Sequence, residues 1–198
     1  MKYIKMLGLA AVAAAALMAF VGAGTASATT LVGSGGTVPT GTTINAQLKA
    51  GTEAILEAGF GTINCDASTV DGKTGNQSGT LITGNVDVLT FTECTGDTVS
   101  VLKKGSLSIH HIAGTTNGTV TSSGAEVTVI NHDTGGTHCI YRTENTVIGT
   151  LTGNTKGNAT LHADATLIRV PTSAFCASEA TWKATYEVTT PSPLWVES

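Results

Sequence analysis

Aromatic side chains are scarce in this chain, and so is charge. Four Phe, three Tyr and two Trp are spread over 198 residues, and Asp, Glu, Lys and Arg together make up 12%. The longest basic cluster is Lys103-Lys104, too little to neutralise a phosphate backbone, so no nucleic-acid partner is expected. No C-x₂₋₄-C knuckle is present to bind zinc. No G-x-S-x-G elbow is present either, and no helical pattern would follow one, so an α/β-hydrolase site is not predicted. The acids stand singly beside Gly or Thr, which does not suggest a carboxylate pair for glycoside hydrolysis. No cofactor motif appears.

What is abundant is Thr, with 36 residues, followed by Gly with 24. Both are poor helix formers, and Thr packs well on a pleated surface. An all-β chain follows. The one long apolar run lies at the start. Met1-Lys2-Tyr3-Ile4-Lys5 leads into a small-apolar stretch from Met6 to about Gly24, closing on Ala26-Ser27-Ala28, an A-x-A cleavage site. Residues 1–28 are therefore expected to be a signal peptide of bacterial type, leaving a secreted, extracellular chain with no transmembrane segment. Without Lys2 and Lys5, 8 basic residues face 14 acidic ones.

Residues 29–42 are rich in Gly and Thr and are expected to form a flexible leader to a single all-β domain over 43–198. Short strands then recur with turn signals about every 8–12 residues, as in sandwiches and barrels. Ala54 to Ala58 reads as one helical turn at most, since Gly51 and Gly59 bracket it. Leu81 to Cys94, Thr98 to Ile112 broken at Gly105, and Ala125 to Asn131 read as strands, and Asp71 to Gly79 as an exposed loop. Ala159, Leu161, Ala163, Ala165 and Leu167 alternate with polar residues. Trp182, Ala184, Tyr186 and Val188 do the same against Lys183, Thr185 and Glu187. With so few rings available, Trp182, Tyr186 and Phe91 are the predicted core anchors. A membrane barrel would need longer apolar outer faces and aromatic girdles.

Cys65, Cys94, Cys139 and Cys176 are even in number and widely spaced in an exported chain, which reads as two disulfides. Of the three pairings, Cys65–Cys94 with Cys139–Cys176 is expected, because each pair flanks adjacent predicted strands. His110 and His111 are neighbours on a strand and face opposite sides, so they do not chelate one ion. His132, Asp133 and His138 surround a Gly135-Gly136 turn and are the candidate metal ligands. A polar hairpin beside a disulfide explains the same residues, and no metal site is predicted.

Gly61-Thr62-Ile63-Asn64-Cys65, Leu89 to Cys94, Cys139-Ile140-Tyr141, Thr181 to Tyr186 and the ending Pro191-Ser192-Pro193-Leu194-Trp195-Val196 resemble small secreted four-cysteine β-rich proteins of actinobacteria. That resemblance implies a fold and no activity. The first cysteine half is also similar to secreted activators of alkane oxidation, associated with cell surfaces and apolar substrates. The Gly-x-Pro-Trp-type landmarks of that family are absent, so no residue role is carried over.

The expected protein is a single-domain antiparallel β-sandwich stapled by two disulfides, with a closed β-barrel as the alternative. Its expected role is a structural or binding module, secreted or associated with the cell envelope or a surface protein. A barrel carrying a small apolar ligand is the second reading, and a secreted hydrolase the third. An internal apolar pocket of at least about 300 Å³ would favour the carrier.

Overall fold

The computed structural model describes residues 28–59, 61–131, 137–171 and 176–198. Among these residues there is no helix. The first eight strands are β1 (Thr29–Gly33), β2 (Gly36–Thr37), β3 (Thr43–Leu48), β4 (Ala54–Ala58), β5 (Gly61–Thr74), β6 (Ser78–Gly79), β7 (Ile82–Cys94) and β8 (Thr98–Lys103). They are followed by β9 (Ser106–His111), β10 (Gly118–Ser123), β11 (Glu126–Asn131), β12 (Thr137–Arg142), β13 (Thr146–Thr152), β14 (Thr160–Arg169), β15 (Glu179–Thr190) and β16 (Leu194–Glu197). Every strand ladder among the described residues is antiparallel.

The larger sheet closes on itself. Pairing runs β5–β7–β9–β10–β13–β14–β15, and β15 returns to β5 through β3 at one end and β4 at the other. Counting β3 and β4 as one position, the ring has eight, the number whose interior is just wide enough for side chains or one small ligand. Of the two architectures consistent with the sequence, the barrel is therefore the one formed. Bulges bend the wall: Asp87 of β7 is the extra residue opposite Asp71–Gly72 of β5, and Ile148 of β13 is the extra residue opposite Val120–Thr121 of β10. At the second bulge the partner is Gly149, at φ +151°, where a Cβ would lie 1.8 Å from the His162 carbonyl oxygen. No other residue fits that approach.

Two additions complete the fold. The chain extends the sheet at one end of the barrel through β12–β11–β8, attached to the last two residues of β14 at Tyr141–Arg169 and Arg142–Ile168. A small sheet of β16, β1, β2 and β6 packs at the other, burying Leu31, Val38, Leu194 and Val196. This corrects the expectation of a flexible leader over 29–42. Thr29 is fully buried, its hydroxyl donating to the Thr80 carbonyl at 3.0 Å and accepting from the His111 N–H at 3.0 Å. The strand partner of β1 is the C-terminal β16, too distant in sequence to be visible locally.

Two smaller readings are also corrected. Ala54 to Ala58 is strand β4, held between β5 and β15, and tertiary pairing overrides its helical composition. Asp71 to Thr74 belongs to β5 rather than a loop, paired with both β3 and β7. The strands expected from Leu81 to Cys94, on both sides of Gly105, and at 159–167 and 181–188 all form.

The outward positions of β14 and β15 are polar: Thr160, His162, Asp164 and Thr166 on one strand, Lys183, Thr185 and Glu187 on the other. Lys183 pairs with Glu57 at 3.1 Å across the surface. No helix among the described residues is long and apolar enough to cross a membrane.

Both expected disulfides are present. Cys65–Cys94 ties β5 to β7 across a directly opposed pair, and Cys139–Cys176 ties β12 to the segment entering β15. The Cys65–Cys94 loop spans 29 residues, for which the chain-entropy estimate is about 3–4 kcal/mol. Replacing both cysteines by Ser is expected to lower the urea-unfolding free energy by about that amount. An unchanged midpoint would contradict the stapling role.

Candidate functional site: an apolar barrel interior

The inner face of the ring is made by period-two alternation. Leu161, Ala163, Ala165 and Leu167 of β14 point inward, as do Trp182, Ala184, Tyr186 and Val188 of β15. The register sets small residues against large ones: Ala165 lies opposite Trp182 and Ala163 opposite Ala184. Two rings therefore fit beside each other without filling the lumen. Trp182 stands edge-on to Phe91 at a centroid separation of 6.2 Å and tilted against Tyr186 at 6.0 Å. Tyr186 is fully buried, whereas Trp182 and Phe91 are half-buried.

Two cavities occupy the interior, of about 70 Å³ and 110 Å³. Both are lined by Val70, Val86, Leu107, Leu161 and Tyr186, so they adjoin along the barrel. The smaller one is bounded by Phe91, Trp182 and Tyr141. The larger continues toward Ile82, Leu31 and Leu194, under the small sheet.

The barrel wall is incomplete beside the smaller cavity. Up to Asn85, β7 pairs with β9, but beyond it β5 is its one ladder partner. On the other side of the opening β8 pairs with β11 alone. A slit thus lies between β7 and β8. The turn joining the two strands closes one end, and a hydrogen bond from the Val86 N–H to the Gly105 carbonyl closes the other, at 3.2 Å. Val86, Leu89 and Phe91 line the cavity from one side, Val99 from the other, and exposed Lys104 marks the rim.

Polar groups inside are few. The Ser68 hydroxyl donates to the Thr90 carbonyl at 2.7 Å, so the Tyr186 hydroxyl, 2.7 Å from Ser68 Oγ, is the donor in their bond. Ser122 and Thr143, both buried, satisfy each other at 3.0 Å. Four buried side-chain polar atoms have no hydrogen-bond partner among the described residues: Asn64 Oδ1, Tyr141 Oη, Arg142 Nε and Trp182 Nε1. Tyr141 and Trp182 point inward and line the smaller cavity. Arg142 alternates with the inward Cys139, Tyr141 and Thr143, and its guanidinium turns to the exposed Glu144.

Tyr141 escapes notice in the sequence, although its spacing of two from Cys139 places it on the buried face of the same strand. The other lining residues carry no chemistry that would single them out. Among the candidate metal ligands, His138 is exposed on β12, while His132 and Asp133 lie outside the described residues. His110 is exposed, and the His111 ring nitrogen Nε2 is 2.7 Å from the Thr115 carbonyl. No protein-family model matches the chain, and neither curated proteins nor solved structures give a significant match.

Burial raises the pKa of both interior tyrosines. Desolvation dominates at each, opposed by the neighbouring Arg169 at Tyr141 and by the Ser68 hydrogen bond at Tyr186. A phenol whose folded pKa is raised contributes stability that is complete below its unfolded value, near 10, and lost as pH rises through the folded one. A chain without residues 1–28 contains only these two tyrosines. It should show less tyrosinate absorbance near pH 10 when folded than when unfolded, and stability should fall above that pH. A normal phenol titration at pH 10 in the folded protein would contradict the buried placement.

Proposed function

We propose that this protein is a secreted binding protein that holds a small, predominantly apolar molecule inside its barrel. The observation that carries the reading is the pair of adjoining apolar cavities within a closed ring, reached through the slit between β7 and β8. Neither cavity approaches the roughly 300 Å³ that a drug-sized ligand needs. The ligand is correspondingly small and extends across both adjoining cavities, since an engineered apolar cavity of about 150 Å³, larger than either, takes up benzene or xenon. Two disulfides fit an oxidising compartment, and the leader-like residues 1–28 supply the route to it. The charge-poor, Thr-rich exterior supports a second reading, a module packed against other envelope proteins, and this needs no ligand.

Methylcyclohexane, toluene and cyclohexanone are suitable probes. Saturable one-to-one binding should shift the methyl NMR signals of Val70, Leu107 and Leu161. Ala54 is buried and lines the smaller cavity. Ala54→Leu adds three carbons there and should weaken binding by about tenfold or more while leaving the melting temperature unchanged or raised, as filling a cavity does. If no probe shifts any interior signal, the carrier reading fails and the packing module stands.

A further inference from the structure

Two atoms of the smaller cavity's lining residues do not fit a purely hydrocarbon occupant. The Trp182 indole N–H can only donate a hydrogen bond, and it is buried without an acceptor. The Tyr141 hydroxyl is likewise buried and unpartnered, on a side chain with no solvent exposure. A buried donor left unmade costs about 1–3 kcal/mol, and natural cores rarely keep one without a reason. Three such donors belong to residues that line one cavity: Trp182 Nε1, the Tyr141 hydroxyl and Arg142 Nε, of which Arg142 turns its guanidinium to Glu144. The remaining hydroxyls of that lining, on Ser122, Thr143 and Tyr186, are already satisfied within the protein.

The charges nearby have the same sense. Arg169 lies opposite Tyr141 in the β12–β14 pairing, and its guanidinium also donates to the Cys176 carbonyl at 2.6 Å. Lys104 stands at the rim, with no ion pair among the described residues. No carboxylate is among the residues lining this cavity. Donors and positive charge with no acidic group favour an acceptor.

We infer that the barrel selects a ligand with a compact apolar body and one hydrogen-bond-accepting oxygen, a ketone or ester carbonyl, read by Trp182 Nε1–H and the Tyr141 hydroxyl. The inference rests on the carrier reading above and adds the ligand's chemical class. The aromatic walls of Phe91, Trp182 and Tyr186 contact the body, and the two donors set its orientation. A hydrocarbon of the same size leaves both donors unmade.

Cyclohexanone and methylcyclohexane have the same number of heavy atoms, and the hydrocarbon leaves water more readily. Simple burial therefore ranks methylcyclohexane first. The structure ranks cyclohexanone first, by about tenfold, when binding to the full-length mature protein is followed by NMR titration. The Trp182 indole N–H signal should move downfield with cyclohexanone and stay in place with methylcyclohexane. In Tyr141→Phe and Trp182→Phe, each checked for a cooperative melting transition, the preference should drop several-fold. Equal or tighter binding of methylcyclohexane to the wild type, with no indole shift, overturns the acceptor inference and leaves the carrier reading intact. Binding of neither probe removes both.

Discussion

Everything in this molecule depends on β15 having partners along both edges. One edge pairs with β14 over nine consecutive positions, from Ile168–Glu179 to Thr160–Glu187. The other is divided between β3, at Asn45 to Leu48, and β4, at Ile55 to Glu57. Because β3 and β4 both also pair with β5, this double pairing converts a long antiparallel sheet into a ring. Closure removes most of the exposed edges that a chain this rich in strand would otherwise present for aggregation. It also fixes the inner face of β15, and with it the positions of Trp182, Tyr186 and the alanines opposite them.

A closed ring sets a volume that its side chains must fill, and this composition fills it incompletely. Alanine occupies inner positions at 46, 54, 163, 165, 180 and 184, and the aromatic side chains are few. Three inner rings cluster on one side, where Trp182 stands edge-on to Phe91 and tilted against Tyr186, and the space beside them remains open. In a protein selected for packing alone, substituting Leu for one of these alanines would be an easy gain. Under the proposed carrier reading, these small residues and the unpaired wall between β7 and β8 leave room and access for a ligand.

Much of the strand content was legible from the residues. Alternation at 159–167 and 181–188 is period two without ambiguity, and Cys65–Cys94 and Cys139–Cys176 follow from compartment and strand adjacency. What stayed hidden was non-local. Nothing in Thr29 to Gly33 announces a partner in Leu194 to Glu197, so a Gly-rich opening reads as a loose leader. Nothing in Ala54 to Ala58 outweighs its helical composition except the two strands that flank it. The cavity was illegible for a different reason: a void arises from the summed volumes of residues on many strands. Tyr141 belongs to it only because β12 attaches where β14 ends.

The central claim is a closed ring around an unfilled apolar interior, and a crystal structure under xenon pressure tests it most directly. Xenon is apolar and occupies dry cavities of this size. The account predicts an uninterrupted β14–β15–β3/β4–β5 ladder and xenon density against Val70, Leu161 and Tyr186. Two separate sheets with interdigitated side chains and no interior xenon would contradict it.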